Sequence, residues 1–138
     1  MTGNKGFSLL ELMTAVVIVG VLAAIAIPSY QASVVKARRQ SAETFLMDVA
    51  QKEAQYFLDA RAYQAVTGNS NFAAALHVSI PTDVSSFYTV VVTTTAVTGQ
   101  PPTYTATATP ISGTKQASDG WLAIDNTSNK TSQNPDKW

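Results

Sequence analysis

The chain has 138 residues, near the size of one domain, so a single core with an N-terminal extension is expected. Nine basic and nine acidic side chains cancel, which removes any global attraction to nucleic acid or anionic lipid. The lack of cysteine excludes disulfides and thiolate ligands without assigning a compartment, and the Thr-, Ser- and Asn-rich, charge-poor second half fits a neutral extracellular surface.

The first element is apolar. From Leu12 to Ile27 every residue except Thr14 and Gly20 is apolar, and no charge follows Glu11 until Lys36. A spanning helix needs about 20 mostly apolar residues, so Phe7 to Ile27 is long enough if Glu11 is tolerated. A cleaved secretory signal is the rival, with Lys5 as its basic region and "LAAIA" as small residues near a cleavage point. Glu11 argues against it, and so does the absence of a strong break afterwards. Ala42, Phe45, Leu46, Val49, Ala50, Ala54, Phe57 and Leu58 recur at helical spacing, with Arg39, Glu43, Asp48, Lys52 and Asp59 mostly on other faces. The spacing predicts one helix, bent at Pro28, from about residue 8 to 60. At about 1.5 Å per residue it would be roughly 80 Å long, so its first half should project from the globular part.

Residues 61–86 read as a connecting loop, in which "FAAAL" suits a short helical turn and "IPTD" a break. Phe87 to Val97 is the clearest strand, rich in β-branched and aromatic residues. Tyr104 to Pro110 alternates as a second strand and Trp121 to Asp125 as a third, after which "NTSN" turns into a short tail. Three or four antiparallel strands need cover on one face, which the 42–58 stripe supplies. The fold class is α+β: one long helix across a small meander.

Catalytic chemistry is absent from the pattern. His77 is alone in a loop, and Asp119, Asp125 and Asp136 lack the spacing of a calcium loop. No metal or cofactor is expected, and the chain does not read as an enzyme. Asn126 and Asn129 each begin an N-x-[ST] sequon, a common chance pattern in such composition. Lys36, Arg38 and Arg39 form the one charge concentration, suited to a solvated turn, a phosphate contact or a subunit contact. They also pull the topology the wrong way. Cations just after an apolar run favour a cytoplasmic C-terminal side, whereas composition favours the opposite.

The stretch "KGFSLLELMTAVVIVGVLAAIAIPSYQ", Lys5 to Gln31, resembles the N-terminus of type IV pilins: a basic leader ending in glycine, an aromatic first mature residue, a glutamate at the fifth mature position, and a helix with a proline. "AETFLMDVAQKEAQYFLDARAY" and "YTATATPISGTKQASDGWLAID" are similar to the PilE-like group of type IVa pilins, although this chain has no cysteine to close its C-terminal region. The resemblance implies a leader at 1–6, a filament-core helix at 7–28 and a globular pilin domain at 29–138. That domain would consist of an amphipathic helix at 29–60, a loop at 61–86 and a meander with C-terminal region at 87–138.

It further implies cleavage between Gly6 and Phe7 by a prepilin peptidase, N-methylation of Phe7, and handling by inner-membrane pilus machinery. The precursor would lie in the inner membrane with its N-terminus cytoplasmic, before passing to an extracellular pilus. A carboxylate in hydrocarbon costs about 2.5–3.5 kcal/mol, so Glu11 calls for a partner. The natural one is the Phe7 amine of a neighbouring subunit, the alternative being a pair within its own helix end. Gly20 and Pro28 would be places where the helix loosens, and Lys36, Arg38 and Arg39 candidate contacts between subunits. The implied function is a pilus subunit, leaning toward a minor pilin, serving adhesion, twitching motility or DNA uptake. A type II secretion pseudopilin and a pilus-borne DNA receptor are the alternatives. The second is disfavoured by three lysines against four aspartates after residue 62.

Overall fold

A computed structural model describes residues 8–134 and 138. Helix α1, Leu9–Ala60, runs through Pro28 without interruption, and it belongs to both units into which the chain divides, Met1–Val34 and Val35–Trp138. Four hydroxyls on it, those of Thr14, Ser33, Ser41 and Thr44, donate back to the carbonyl four residues earlier at 2.9–3.3 Å, so these polar side chains are satisfied without leaving the helix. The helix ends where Arg61 turns left-handed (φ 55°) and donates its N–H to the Phe57 carbonyl at 2.9 Å.

In the unit of residues 35–138, five strands follow in a meander: β1 Val66–Thr67, β2 Tyr88–Thr95, β3 Thr103–Pro110, β4 Leu122–Asp125 and β5 Lys130–Ser132. Every neighbouring pair is antiparallel and the spatial order is the chain order. The expected three or four strands are therefore five. β1 has two residues and β5 three, too few for alternation to mark them. The 61–86 segment holds more than a loop, with β1, a 3-10 turn at Asn69–Asn71, and helices α2 (Phe72–Leu76) and α3 (Thr82–Ser85). Pro81 does not break α3 but precedes its first turn, where a missing N–H costs nothing. The side chain of Asn69 stands in for a strand partner beside β2: it accepts from Val90 N at 2.8 Å and donates to the Tyr88 carbonyl at 2.8 Å.

Alternation sets the two faces of the sheet. Tyr88, Val90 and Val92, Ala106 and Ala108, and Leu122 and Ile124 point inward to a core shared with Phe45, Leu46 and Val49 of α1. Alanines on the central strand leave room for the larger side chains of that core. Each fully buried Phe, Leu or Val contributes about 1.5–3 kcal/mol. On the solvent face, threonines stand opposite one another in register: Thr89 with Thr109, Thr93 with Thr105, Thr95 with Thr103.

The buried stripe of α1 is not quite the expected one. It comprises Arg39, Ala42, Phe45, Leu46, Val49 and Glu53, while Ala54 is exposed and Leu58 is 71% exposed. Two charged residues occupy places where the apolar pattern was expected to continue or to exclude them.

Candidate functional site

Gly6 and Phe7 lie outside the described residues. Glu11 stands exposed in the first turn of α1 and has no ion-pair partner among the described residues. Around it, large apolar side chains from Leu9 to Ile27 are all more than half exposed. This stretch is long and apolar enough to cross a membrane. Gly20 has open space where a side chain would be, and both Gly20 and Pro28 sit inside regular helix in the isolated chain. The described end of α1 is thus an apolar surface with one carboxylate.

The basic cluster separates into three environments. Lys36 is exposed. Arg38 lays its guanidinium 3.6 Å from the Phe87 ring centroid. Arg39 is buried, at 4% exposure, and its Nη1 lies 2.8 Å from Asp119 Oδ2 while its Nε faces Glu43 at 3.4 Å. Arg39 is therefore engaged within its own unit. The same Asp119 oxygen accepts from the Tyr88 hydroxyl (2.9 Å) and from Gln116 Nε2 (3.0 Å). Burial and the adjacent Asp119 carboxylate push the Tyr88 phenol well above its usual range, and burial raises the Glu43 carboxyl against the pull of Arg39.

A second polar group lies in the core. Glu53 is fully buried; its Oε2 accepts from Gln64 N at 2.9 Å, and its Oε1 has no hydrogen-bond partner among the described residues. Burial raises its pKa. Close by, Phe57 stacks on Tyr63 (centroids 4.9 Å) and Tyr63 meets Tyr104 edge-on (4.7 Å). Burial first, and the Glu53 charge second, push the Tyr104 phenol up to about 12. These tyrosines wall an open groove of about 390 Å³ whose floor includes Met47, Ala50 and Ile124 and whose rim carries Asn126 and Lys130.

The β4–β5 turn is organised by Asp125. Its Oδ1 accepts from Thr127 N (2.8 Å), Thr127 Oγ1 (2.6 Å) and Asn129 N (3.0 Å), which holds Ser128 left-handed at φ 62°. The Thr127 hydroxyl bond leads in holding this carboxyl below the usual range. Asn129 is exposed and Asn126 half-buried. His77 is exposed, in the left-handed position that ends α2. Asp119 and Asp125 serve separate networks, Asp136 lies outside the described residues, and no group of three potential metal ligands occurs among those described.

Asp119, Tyr88, Gln116 and Glu53 were not recognisable as a polar interior from their types. One signal existed: Arg39 and Glu53 fall at helical spacing with Ala42, Leu46 and Val49, the residues that do form the buried face.

Comparison with known proteins agrees with this architecture. Residues 1–27 match the family model of the prokaryotic N-terminal methylation motif, and residues 28–120 match that of the type IV minor pilin ComP, DNA uptake sequence receptor. The chain is 41% identical to the fimbrial protein EcpC of Eikenella corrodens over 76 residues, 54% of this chain and 48% of that protein. It is 47% identical to the type IV major pilin protein PilE1 of Neisseria gonorrhoeae over 60 residues, 42% of this chain and 35% of the relative. The fimbrial protein of Moraxella nonliquefaciens is 49% identical over 47 residues, 34% of this chain and 29% of its own length. The chain thus spans about half or less of the curated relatives it matches.

Proposed function

We propose, since this chain belongs to the ComP family of type IV minor pilins, that it is a minor structural subunit of a type IV pilus, assembled through its N-terminal helix. The observation that carries this reading is a methylation motif at residues 1–27 directly followed by the minor-pilin match, on a helix whose apolar side chains stand uncovered. In this reading a prepilin peptidase cuts between Gly6 and Phe7 on the cytoplasmic face, and Phe7 is methylated. The globular unit lies outside the inner membrane until the machinery draws the subunit into a filament of pilin subunits. The new Phe7 amine of one subunit then meets Glu11 of its neighbour. Pairing offsets the cost of a buried carboxylate and fixes axial register, because a slip of one turn leaves both charges unpaired. Gly20 and Pro28 mark where the helix loosens as the core packs, and exposed Lys36 is free to meet an acidic neighbour.

The test is Glu11→Ala in cells that also make the wild-type chain. The mutant should be cleaved yet nearly absent from sheared pili, and normal incorporation would sink the pairing.

A second role rides on the first. The family description, DNA uptake sequence receptor, supports DNA capture by the globular unit despite its neutral charge. Pili carrying this chain should retain duplex DNA more strongly than pili from a deletion strain, with affinity falling as salt rises. Equal retention by both would leave the structural role alone.

A further inference from the structure

Within the unit of residues 35–138, the strap from Ile111 to Asn134 has little to hold it by conventional means. Residues 111–121 form no strand; their backbone is tied at the ends, by Ile111 N to the Phe87 carbonyl at 2.8 Å and by the Trp121 carbonyl to Gln133 N, and between these by local bonds from Thr114 N to Ile111 O, Ala117 N to Thr114 O and Asp119 N to Gln116 O. β4 and β5 together offer seven residues of ladder. Of the buried apolar side chains, the strap contributes Leu122, Ala123 and Ile124, and the chain has no cysteine to fasten it covalently.

What the strap does have is one residue reached from four directions. The Asp119 carboxylate receives Arg39 from α1, Tyr88 from β2 and Gln116 from within the strap. Its backbone carbonyl receives Arg39 Nη1 again at 3.0 Å and Asn134 Nδ2 at 2.9 Å. Gln116, fully buried, also reaches the Val35 carbonyl of α1 at 3.1 Å and the Tyr88 hydroxyl at 2.6 Å. Directly after Asp119 comes Gly120 at φ +87°, where a side chain would meet Gln133 Cβ at 2.9 Å. The far end of the strap therefore crosses over its own beginning at the same point, and Gln133 N closes the crossing on the Trp121 carbonyl at 3.0 Å.

We propose that Arg39, Asp119, Tyr88, Gln116 and Asn134 form a polar clasp that fastens the strap to the helix, and that the strap opens as one cooperative piece when the clasp is broken while α1 and β1–β3 stay folded. Two features make opening local. Most of the core cluster lies in α1, α2, α3 and β1–β3, and the strap contributes Leu122 and Ile124 to it. A buried network is also strong only when complete, because each partner left behind faces a medium of low polarity. The clasp is thus a conformational device separate from assembly through the N-terminal helix, and it decides whether the segment after β3 is presented in one shape.

Amide hydrogen exchange of the full chain in detergent micelles, read by peptide mass, tests this. In Arg39→Met and Asp119→Asn, exchange in peptides spanning 114–124 and 130–133 should quicken at least tenfold, together with the β3 amides that face β4, while the peptides of β2 and of the buried stretch of α1 stay unchanged. Tyr88→Phe, which removes one hydroxyl and keeps the ring, should give a smaller rise in the same peptides. It keeps the test open if either charge variant fails to fold. Equal acceleration in β2 and α1 would overturn the proposal, since the network would then be a general stabiliser. Unchanged exchange in the strap of all folded variants would overturn it too.

Discussion

Replacing Glu53 with glutamine asks whether a buried carboxylate burdens this fold at neutral pH. Its side chain is wholly buried, one oxygen holds Gln64 N at 2.9 Å, and the other has no hydrogen-bond partner among the described residues. Burial raises the folded-state pKa, so between the unfolded and folded values only the folded chain keeps the proton. The stability tied to Glu53 is therefore fully present below the unfolded carboxylate range and is lost as pH rises through the folded value. The loss can reach about 1.4 kcal/mol per pH unit inside that window, or roughly 4–8 °C in midpoint per kcal/mol for a unit near 100 residues. Glu53→Gln keeps an oxygen for Gln64 N and does not titrate. Melting followed by the fluorescence of Trp121 and Trp138, for both chains in the same micelles from pH 4 to 8, isolates the difference. The mutant should gain on the wild type as pH rises above the usual carboxylate range. A gap that stays constant across the series, or that closes in the other direction, would refute the reasoning.

Phe45→Ala removes a ring that is 1% exposed and packs edge-on against Phe72 at 5.2 Å, and should cost about 3–5 kcal/mol in thermal or chemical denaturation. Gly120→Ala combines a left-handed backbone with a contact at 2.9 Å, so a loss of about 1–3 kcal/mol in the same assay is expected. Asp125, held below the usual range, contributes stability that is present above the unfolded carboxylate value and lost as pH falls through its folded one. Protection of the Thr127 and Asn129 amides should accordingly persist down to pH values below the usual carboxylate range before fading, and should be missing at every pH in Asp125→Ala.

Much of the fold could be read from the residues. The apolar run, the helical spacing after it and the β-branched stretches gave α1 and the three longer strands, because burial acts on every residue of an element and leaves a period. β1 and β5 escaped, since two or three residues cannot show alternation and are strands only because a neighbour pairs with them. Leu58 kept the helical period yet lies outside the core, beyond the last buried position at Glu53. Arg39 and Glu53 were read as solvent-facing or passed over because charge outweighs phase in any pattern scan. Their partners, Asp119 and Gln64, sit 80 and 11 residues away, a pairing that only the folded chain supplies. The N-terminal methylation motif was legible in the sequence, and the family match over residues 1–27 agrees with it.

The paired threonines on the outer sheet face have a consequence for what this surface can recognise. Across β1, β2 and β3 that face bears hydroxyls, methyls and Val91, and no ionisable group. Such a surface is electrically silent: proton and salt concentrations pass over it without altering it, and a partner settling there is selected by contour and by hydroxyl geometry. Any recognition that weakens with ionic strength is thereby displaced to the margins, where Lys115 and Lys130 are exposed on the strap and at the last hairpin. One small unit can in this way carry two kinds of contact that respond to different surroundings.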